Sequence, residues 1–358
     1  MSRFHTLQVS AVQGETREAI SVVFAVPPEL TETYRYVQGQ HLTLRASIGG
    51  EMVRRSYSIS SAVQDDALRV TIKRVQDGLF SNWANDELQP GMPLEVMPPS
   101  GQFHVPLSPA NEKHYVAFAA GAGITPILSI IKTTLRAEPK SRFTLFYGNR
   151  ASSSVIFREE LQELKDAHLS RFRLIFVLSR EQQEIDLLNG RLDRAKVDAL
   201  LKCWVDPDDV DEVFVCGPQS MMDDTIAALL ANSVPKSKIK QELFATSLPL
   251  TRLRTRSQKP STKGQCEVTI VLDGRTHKLT IPKNENTVLE AALREGVELP
   301  YSCKGGICAT CRCKLTTGEV DMDANFALED YEIRRGFILA CQSYPVTDEL
   351  GINFDEEI

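Results

Sequence analysis

The segment YSCKGGICATCRCKL, residues 301–315, places four of the chain's eight cysteines within eleven positions. Thiols that close must share one loop, and the loop must fold around whatever occupies it. Disulfides, zinc and an iron-sulfur cluster compete for that place. A disulfide knot needs an oxidising compartment, yet the amino-terminal MSRFHTLQVSAVQ has polar residues where an export signal carries its apolar core. A reducing, cytoplasmic setting is therefore expected. Zinc sites usually come as paired short hairpins, CxxC followed at a distance by CxxC or HxxxH. Here Cys303, Cys308 and Cys311 form C-x4-C-x2-C, and Cys341 follows after 29 intervening residues in FILACQSYP.

That is the spacing of plant-type 2Fe-2S ferredoxins. Three thiolates on one tight loop can wrap two irons, and the fourth crosses from a separate segment. Gly305 and Gly306 allow close backbone approach, so that amide N–H groups can point at the sulfurs. Cys313 alternates with Cys311 along CRCKL and reads as a small buried hydrophobe rather than a ligand; Cys203 and Cys266 receive no role. Upstream, CEVTIVLDGRTHKLTIP alternates around a hairpin signal at Asp273-Gly274, and ENTVLEAALREGVELP has helical spacing. Together residues 264–358 resemble a plant-type ferredoxin domain, α+β and β-grasp-like, with Cys303, Cys308, Cys311 and Cys341 as its metal ligands. Residues 265–358 carry nine Lys or Arg against seventeen Asp or Glu, so this is the acidic part of a chain whose net charge is −6. Such an acidic face can steer docking, and it can equally be a merely soluble surface.

At 358 residues, two or three cores are expected. The negative balance argues against a generic nucleic-acid binder. YVAFAAGAGITPILSII (115–131) approaches the roughly 20 residues that span a bilayer, but Gly121, Gly123, Thr125 and Pro126 interrupt it. A strand, a glycine turn and a helix are expected there, and no membrane association.

A one-electron centre needs a source of electrons. VRRSYSISS (53–61) holds Arg55-Ser56-Tyr57-Ser58, a weak signal alone: Tyr57 reads equally as strand packing and Arg55 as a solvated charge. Its flanks are YVQGQHLTLR, LRVTIKRVQDGLFSNW and LEVMPPSGQF, and that order resembles the antiparallel flavin barrel of the ferredoxin-NADP reductase family. The resemblance implies FAD, with Arg55 on the diphosphate, Tyr57 against the isoalloxazine, and Ser56 and the Ser58 hydroxyl beside it. Gly78 and Ser81 would open a short helix whose N–H groups meet the pyrophosphate.

Next, HYVAFAAGAGITPIL runs from a strand into Gly121-Ala122-Gly123-Ile124-Thr125-Pro126, the G-x-G-x-x-P form seen in the nucleotide domain of the same family. VDEVFVCGPQSMMDD ends a later strand in Cys216-Gly217-Pro218, and the resemblance places such a cysteine near the nicotinamide; a buried strand-end thiol is the other reading. Strand and helix alternate from 114 to 244, as a parallel α/β sheet requires. Asn149-Arg150 follows FTLFYG without a carboxylate, and Ser179-Arg180-Glu181-Gln182 is similar to the SREQ that grips a 2′-phosphate in plant reductases. NADPH is the expected nucleotide, held by Arg150, Ser179 and Arg180.

The expected organisation is multidomain: a flavin barrel over 1–105, an NADP-binding α/β domain over 106–245, a linker over 246–263 and the ferredoxin domain over 264–358. The linker TSLPLTRLRTRSQKPSTK has five basic residues, no acidic ones and two prolines, and reads as flexible. NADPH gives two electrons at once and a 2Fe-2S cluster takes one, so a flavin must stand between them. Ser58 and Cys216 are the residues expected at the reacting atoms. Hydride transfer needs orientation more than acid-base chemistry, consistent with a sequence showing no His or carboxylate constellation. HLTLRAS, AAGAGITPIL, FTLFYGNR, CGPQSMMDD and LPYSCKGGICATCRCKL look most like the reductase components of phenylacetyl-CoA epoxidase systems. That implies a separate di-iron oxygenase partner in a multi-subunit monooxygenase. Reductases of other aromatic or steroid ring hydroxylases share the module order; a non-catalytic redox carrier or sensor is the reading of another class.

Overall fold

The computed structural model describes residues 4–244 and 264–356, with the backbone alone of Asp330. The expected linker over 246–263 lies outside the described residues. Two units are formed, one on either side of that segment.

In the first unit, period-two alternation builds β1 (His5–Thr16), β2 (Ala19–Ala25), β3 (His41–Ile48), β4 (Glu51–Ser58), β5 (Leu68–Lys73) and β6 (Pro93–Val96). These pair antiparallel in the order β4-β3-β6-β1-β2-β5. A bridge between Ile59 and Val70, with Ser60 N–H bonded to Arg69 O at 2.8 Å, joins the end of β4 to β5 and closes the barrel. Leu7, Val22, Leu42, Leu44 and Val70 fill it. Helix α1 (Leu79–Glu87), opened by Gly78 as expected, covers one end through Phe80 and Ala84.

The same unit continues as β7 (His114–Ala120), β8 (Arg142–Asn149), β9 (Phe172–Leu178), β10 (Glu212–Cys216) and β11 (Ile239–Glu242). All pair parallel, in the order β11-β10-β7-β8-β9. Helices α2 (Ile124–Ala137), α3 (Arg158–Ala167), α4 (Arg194–Trp204) and α5 (Gln219–Ala231) connect them. Strand order reverses between β7 and β10, and in such sheets the ligand crevice lies beyond the carboxyl ends at that reversal. Residues 124–135 of α2 are all buried, which accounts for the apolar run without a bilayer. Among the described residues no helix is long and apolar enough to cross a membrane.

The second unit holds β12 (Gln265–Leu272), β13 (Arg275–Pro282), α6 (Val288–Arg294), β14 (Arg312–Thr317), β15 (Val320–Met322), α7 (Asp330–Arg334), β16 (Phe337–Leu339), β17 (Ser343–Pro345) and β18 (Glu349–Asn353). Its main sheet runs β13-β12-β18-β14-β16, with β12 and β18 parallel. Asp273 and Gly274 turn the first hairpin at φ +51° and +70°, the left-handed pair that the Asp-Gly signal predicts. Thr287 and Glu290 close a reciprocal cap on α6. Cys266 and Cys313 are buried in this unit's core with Val268, Phe337 and Leu350.

Candidate electron-transfer site

The last residues of β4 form one side of the site. Arg55 is exposed, and Tyr57 is half-buried with its ring centroid 5.6 Å from that of Phe80. Ser56 turns to β3, its hydroxyl 3.3 Å from that of Thr43. Buried Ser58 donates to Glu242 Oε2 at 3.1 Å. Glu242 ends β11 and is a residue the sequence reading missed. Burial raises its pKa to about 8, against the lowering effect of the Ser58 bond. The sequence shows no carboxylate constellation, and the fold brings a single carboxylate to Ser58 from an edge strand with no motif of its own. Gly78 precedes α1, and a Cβ there would meet Ser81 Oγ at 2.6 Å. Ser81 Oγ accepts from Val75 N at 3.1 Å and donates to Gly78 O at 3.3 Å. What α1 offers a diphosphate is therefore backbone N–H, since the Ser81 hydroxyl closes the turn.

Facing this is the switch point of the parallel sheet. Gly121 has φ +55°, in the left-handed region. Gly123 needs its missing side chain for another reason: a Cβ would lie 2.1 Å from Cys216 O. So Gly123 serves the packing of the turn against β10. Thr125 Oγ1 donates to Ala122 O at 3.0 Å, and Pro126 sits in the first turn of α2, where its missing N–H leaves nothing unpaired. Cys216 is fully buried, and its pKa is raised well above the ordinary thiol value by burial and then by Glu242. Gly217 leaves room for Met221 Cε, and Pro218 opens α5. Lys73, at the end of β5, was also missed. Its Nζ lies 3.7 Å from where a Cβ on Gly121 would sit, and its pKa is lowered, first by burial. A cation at the glycine turn can hold a dinucleotide's diphosphate.

Arg150, Ser179 and Arg180 come together at the tips of the adjacent strands β8 and β9, where Ser179 N–H bonds Asn149 O at 3.0 Å and Arg180 N–H bonds Arg150 O at 2.7 Å. Both guanidiniums are exposed. A carboxylate reaches this place from the segment after β9: Glu181 accepts from Ser152 N at 2.7 Å and Ser152 Oγ at 2.9 Å. Those bonds lower its pKa.

In the second unit the three loop sulfurs and that of Cys341 form two pairs, Cys303 hydrogen-bonded with Cys308 and Cys311 with Cys341. Among the described residues no three His, Cys, Asp or Glu side chains gather as a single metal ion would need. Two pairs suit two irons. The Cys303 sulfur accepts from Gly305 N at 3.3 Å and Ile307 N at 3.4 Å, and Cys308 from Thr310 Oγ1 at 3.2 Å. Gly306, at φ +74°, has Ala324 O 2.6 Å from where its Cβ would be. Gln342 Nε2 ties the loop down by donating to Lys304 O at 2.8 Å.

Known domains match each part: an oxidoreductase FAD-binding domain over residues 6–105, an oxidoreductase NAD-binding domain over 118–226 and a 2Fe-2S iron-sulfur cluster binding domain over 270–346. The chain is 44% identical to a component of the 1,2-phenylacetyl-CoA epoxidase of Escherichia coli K12, covering 99% of both chains. The chain belongs to the reductase components of oxygenase systems. It is also 37% identical to the ferredoxin reductase component of 3-ketosteroid-9-alpha-monooxygenase from Rhodococcus rhodochrous, covering 99% of this chain and 97% of that one. The fold is that of phthalate dioxygenase reductase, with a TM-score of 0.59 at 23% identity over 98% of both chains. As a family member the chain is an oxidoreductase with FAD-binding, NAD-binding and 2Fe-2S domains.

Proposed function

We propose that the chain takes hydride from NADPH and delivers single electrons, in the cytoplasm, to a di-iron oxygenase that epoxidises the ring of phenylacetyl-CoA. FAD and a 2Fe-2S cluster supply the conversion from paired to single electrons. The chain's own residues hold and orient. Arg55 is exposed and can grip a diphosphate by two parallel bonds, and Tyr57 offers a ring face at the end of β4. Glu242, with a pKa of about 8, keeps a proton at neutral pH while its Oε2 accepts from the Ser58 hydroxyl. Cys216 and Gly217 shape the floor beneath the nicotinamide, and Lys73 faces the diphosphate. Arg150, Ser179 and Arg180 favour a 2′-phosphate, opposed by the single carboxylate of Glu181. Cys303 and Cys308 would hold one iron, Cys311 and Cys341 the other.

The observation that carries the substrate class is the 44% identity, over 99% of both chains, with a component of 1,2-phenylacetyl-CoA epoxidase. The test is reconstitution with FAD, iron and sulfide, anaerobic reduction by NADPH, and presentation to two oxygenases. One is the oxygenase component of phenylacetyl-CoA epoxidase and the other that of 3-ketosteroid-9-alpha-monooxygenase. Product formation with the first alone supports the reading; turnover with the second alone refutes it.

A further inference from the structure

Helix α2 is fastened near both ends to the stretch that carries the flavin residues. At its start Gly123 lies against Cys216 O, Glu242 ends the neighbouring strand, and Glu242 accepts from Ser58. Farther along, Ser129 Oγ donates to Ser61 O at 2.7 Å, and Thr133 Oγ1 accepts from Val63 N at 3.2 Å. Beside them Lys132 Nζ donates to Asp65 Oδ2 at 2.6 Å and Glu160 Oε1 at 2.5 Å. Arg136 makes a second bond to Asp65, and Arg69 Nη2 reaches both Glu160 oxygens at 3.2 and 3.0 Å. The Lys132 side chain is only 9% exposed.

Residues 59–66 follow β4 without a break. The segment bearing Arg55, Tyr57 and Ser58 is thus tied to the far half of α2, while the near end of α2 is the glycine turn. From Ile124 to Lys132 the helix is a rigid arm of about 12 Å. We propose that Lys132, with Asp65 and Glu160, is a latch of positioning residues that fixes α2 against β4 and so sets the approach of nicotinamide to flavin.

The inference rests on the reading that a nicotinamide dinucleotide binds at the glycine turn. An apolar patch would let the helix slide or rotate by fractions of an ångström. A buried cation shared by two carboxylates has one good arrangement, and buried ionic groups of this kind can specify geometry more than they add stability. Hydride transfer is the kind of step that uses such precision, because a misplacement of about 1 Å can cost about a hundredfold in rate.

The test compares Lys132→Met, Lys132→Arg and Asp65→Asn in the full-length protein loaded with FAD and cluster. Three quantities are read: flavin bleaching after anaerobic mixing with NADPH, the long-wavelength charge-transfer absorbance of the nicotinamide–flavin complex, and the distance distribution between nitroxide labels. The labels sit on exposed Cys203 and on Met52→Cys, also exposed, one on each half of this unit. Lys132→Met is expected to slow flavin reduction about thirtyfold at saturating NADPH, weaken the charge-transfer band and broaden the distance distribution. The KM for NADPH should stay within about threefold, and Lys132→Arg should recover most of the rate. If Lys132→Met does not retain FAD, Asp65→Asn decides by the same readouts. Flavin reduction within about twofold of wild type, or a distance distribution as narrow as wild type, overturns the latch. If wild type itself is not reduced by NADPH, the nucleotide reading fails, and the label distances still decide whether the latch exists.

Discussion

Ser58 Oγ lies 3.1 Å from a carboxyl oxygen of Glu242, a residue 184 positions away in the chain. The bond joins the barrel to the parallel sheet, and it leaves a carboxyl buried with a pKa of about 8 in place of 4.5. The folded state therefore prefers the neutral acid. Its contribution to stability is complete below the ordinary carboxylate range and is lost as pH rises through about 8. The thermal midpoint of the wild type should fall more steeply between about pH 5 and 9 than that of Glu242→Gln, which mimics the neutral form. Calorimetry across that range checks it, and parallel slopes would contradict the assignment.

The cluster loop makes a sharper distinction between two cysteines that look alike in sequence. Cys311, Cys313 and Cys341 are all buried in one core, but Cys341 pairs with the Cys311 sulfur whereas Cys313 is hydrogen-bonded to the backbone of Ala340. Cys341→Ala should abolish iron binding and its visible absorption. Cys313→Ala should keep both and cost roughly 1–2 kcal/mol of stability from the lost packing. Iron analysis and denaturant titration separate the two. Loss of iron in Cys313→Ala would make that residue a ligand or a support of one.

What could be read in advance was what lies contiguous in the chain. YSCKGGICATCRCKL, GAGITP and the Asp273-Gly274 turn each carry their chemistry in neighbouring residues, so spacing and turn preference expose them. Glu242 and Lys73 were invisible, because each is one polar residue at the end of an alternating strand and acquires meaning only from a strand distant in sequence. Glu181 was legible as part of the SREQ segment but its placement was not: the loop after β9 brings it onto Ser152, in the loop after β8. Gly123 stood out by its motif, but the packing that needs its bare Cα comes from Cys216 O, far along the chain. The contacts of Lys132 span 67 and 28 positions, beyond any local pattern.

Gly123 gives a direct test of that packing. Its φ of −61° suits any residue, so alanine there would not strain the backbone. The added Cβ would instead fall 2.1 Å from Cys216 O and 2.9 Å from Gly217 N, both backbone atoms. Neither can swing aside as a flexible side chain would. Gly123→Ala should destabilise the first unit by about 3 kcal/mol, at the upper end of overpacking costs. Urea unfolding followed by tryptophan fluorescence reads the change, and a loss below about 1 kcal/mol would mean that the turn is free to move.

Two cations in the nucleotide crevice should differ in which nucleotide they serve. Arg180 stands with Arg150 and Ser179 at the tips of β8 and β9, where only NADPH would place a charged group. Lys73 stands at Gly121, where the diphosphate common to NADPH and NADH would lie. Arg180→Glu removes a cation and adds an anion beside Glu181, so the NADPH KM should rise about tenfold or more while the NADH KM changes little. Lys73→Met should raise both by similar factors, about tenfold, because the group it holds is shared. Steady-state reduction of cytochrome c with each nucleotide measures all four constants. If Arg180→Glu left the NADPH KM unchanged, the arginine would be only a solvated surface charge. If Lys73→Met affected NADPH alone, the 2′-phosphate would lie at the glycine turn, and the placement of the nucleotide would have to be reversed.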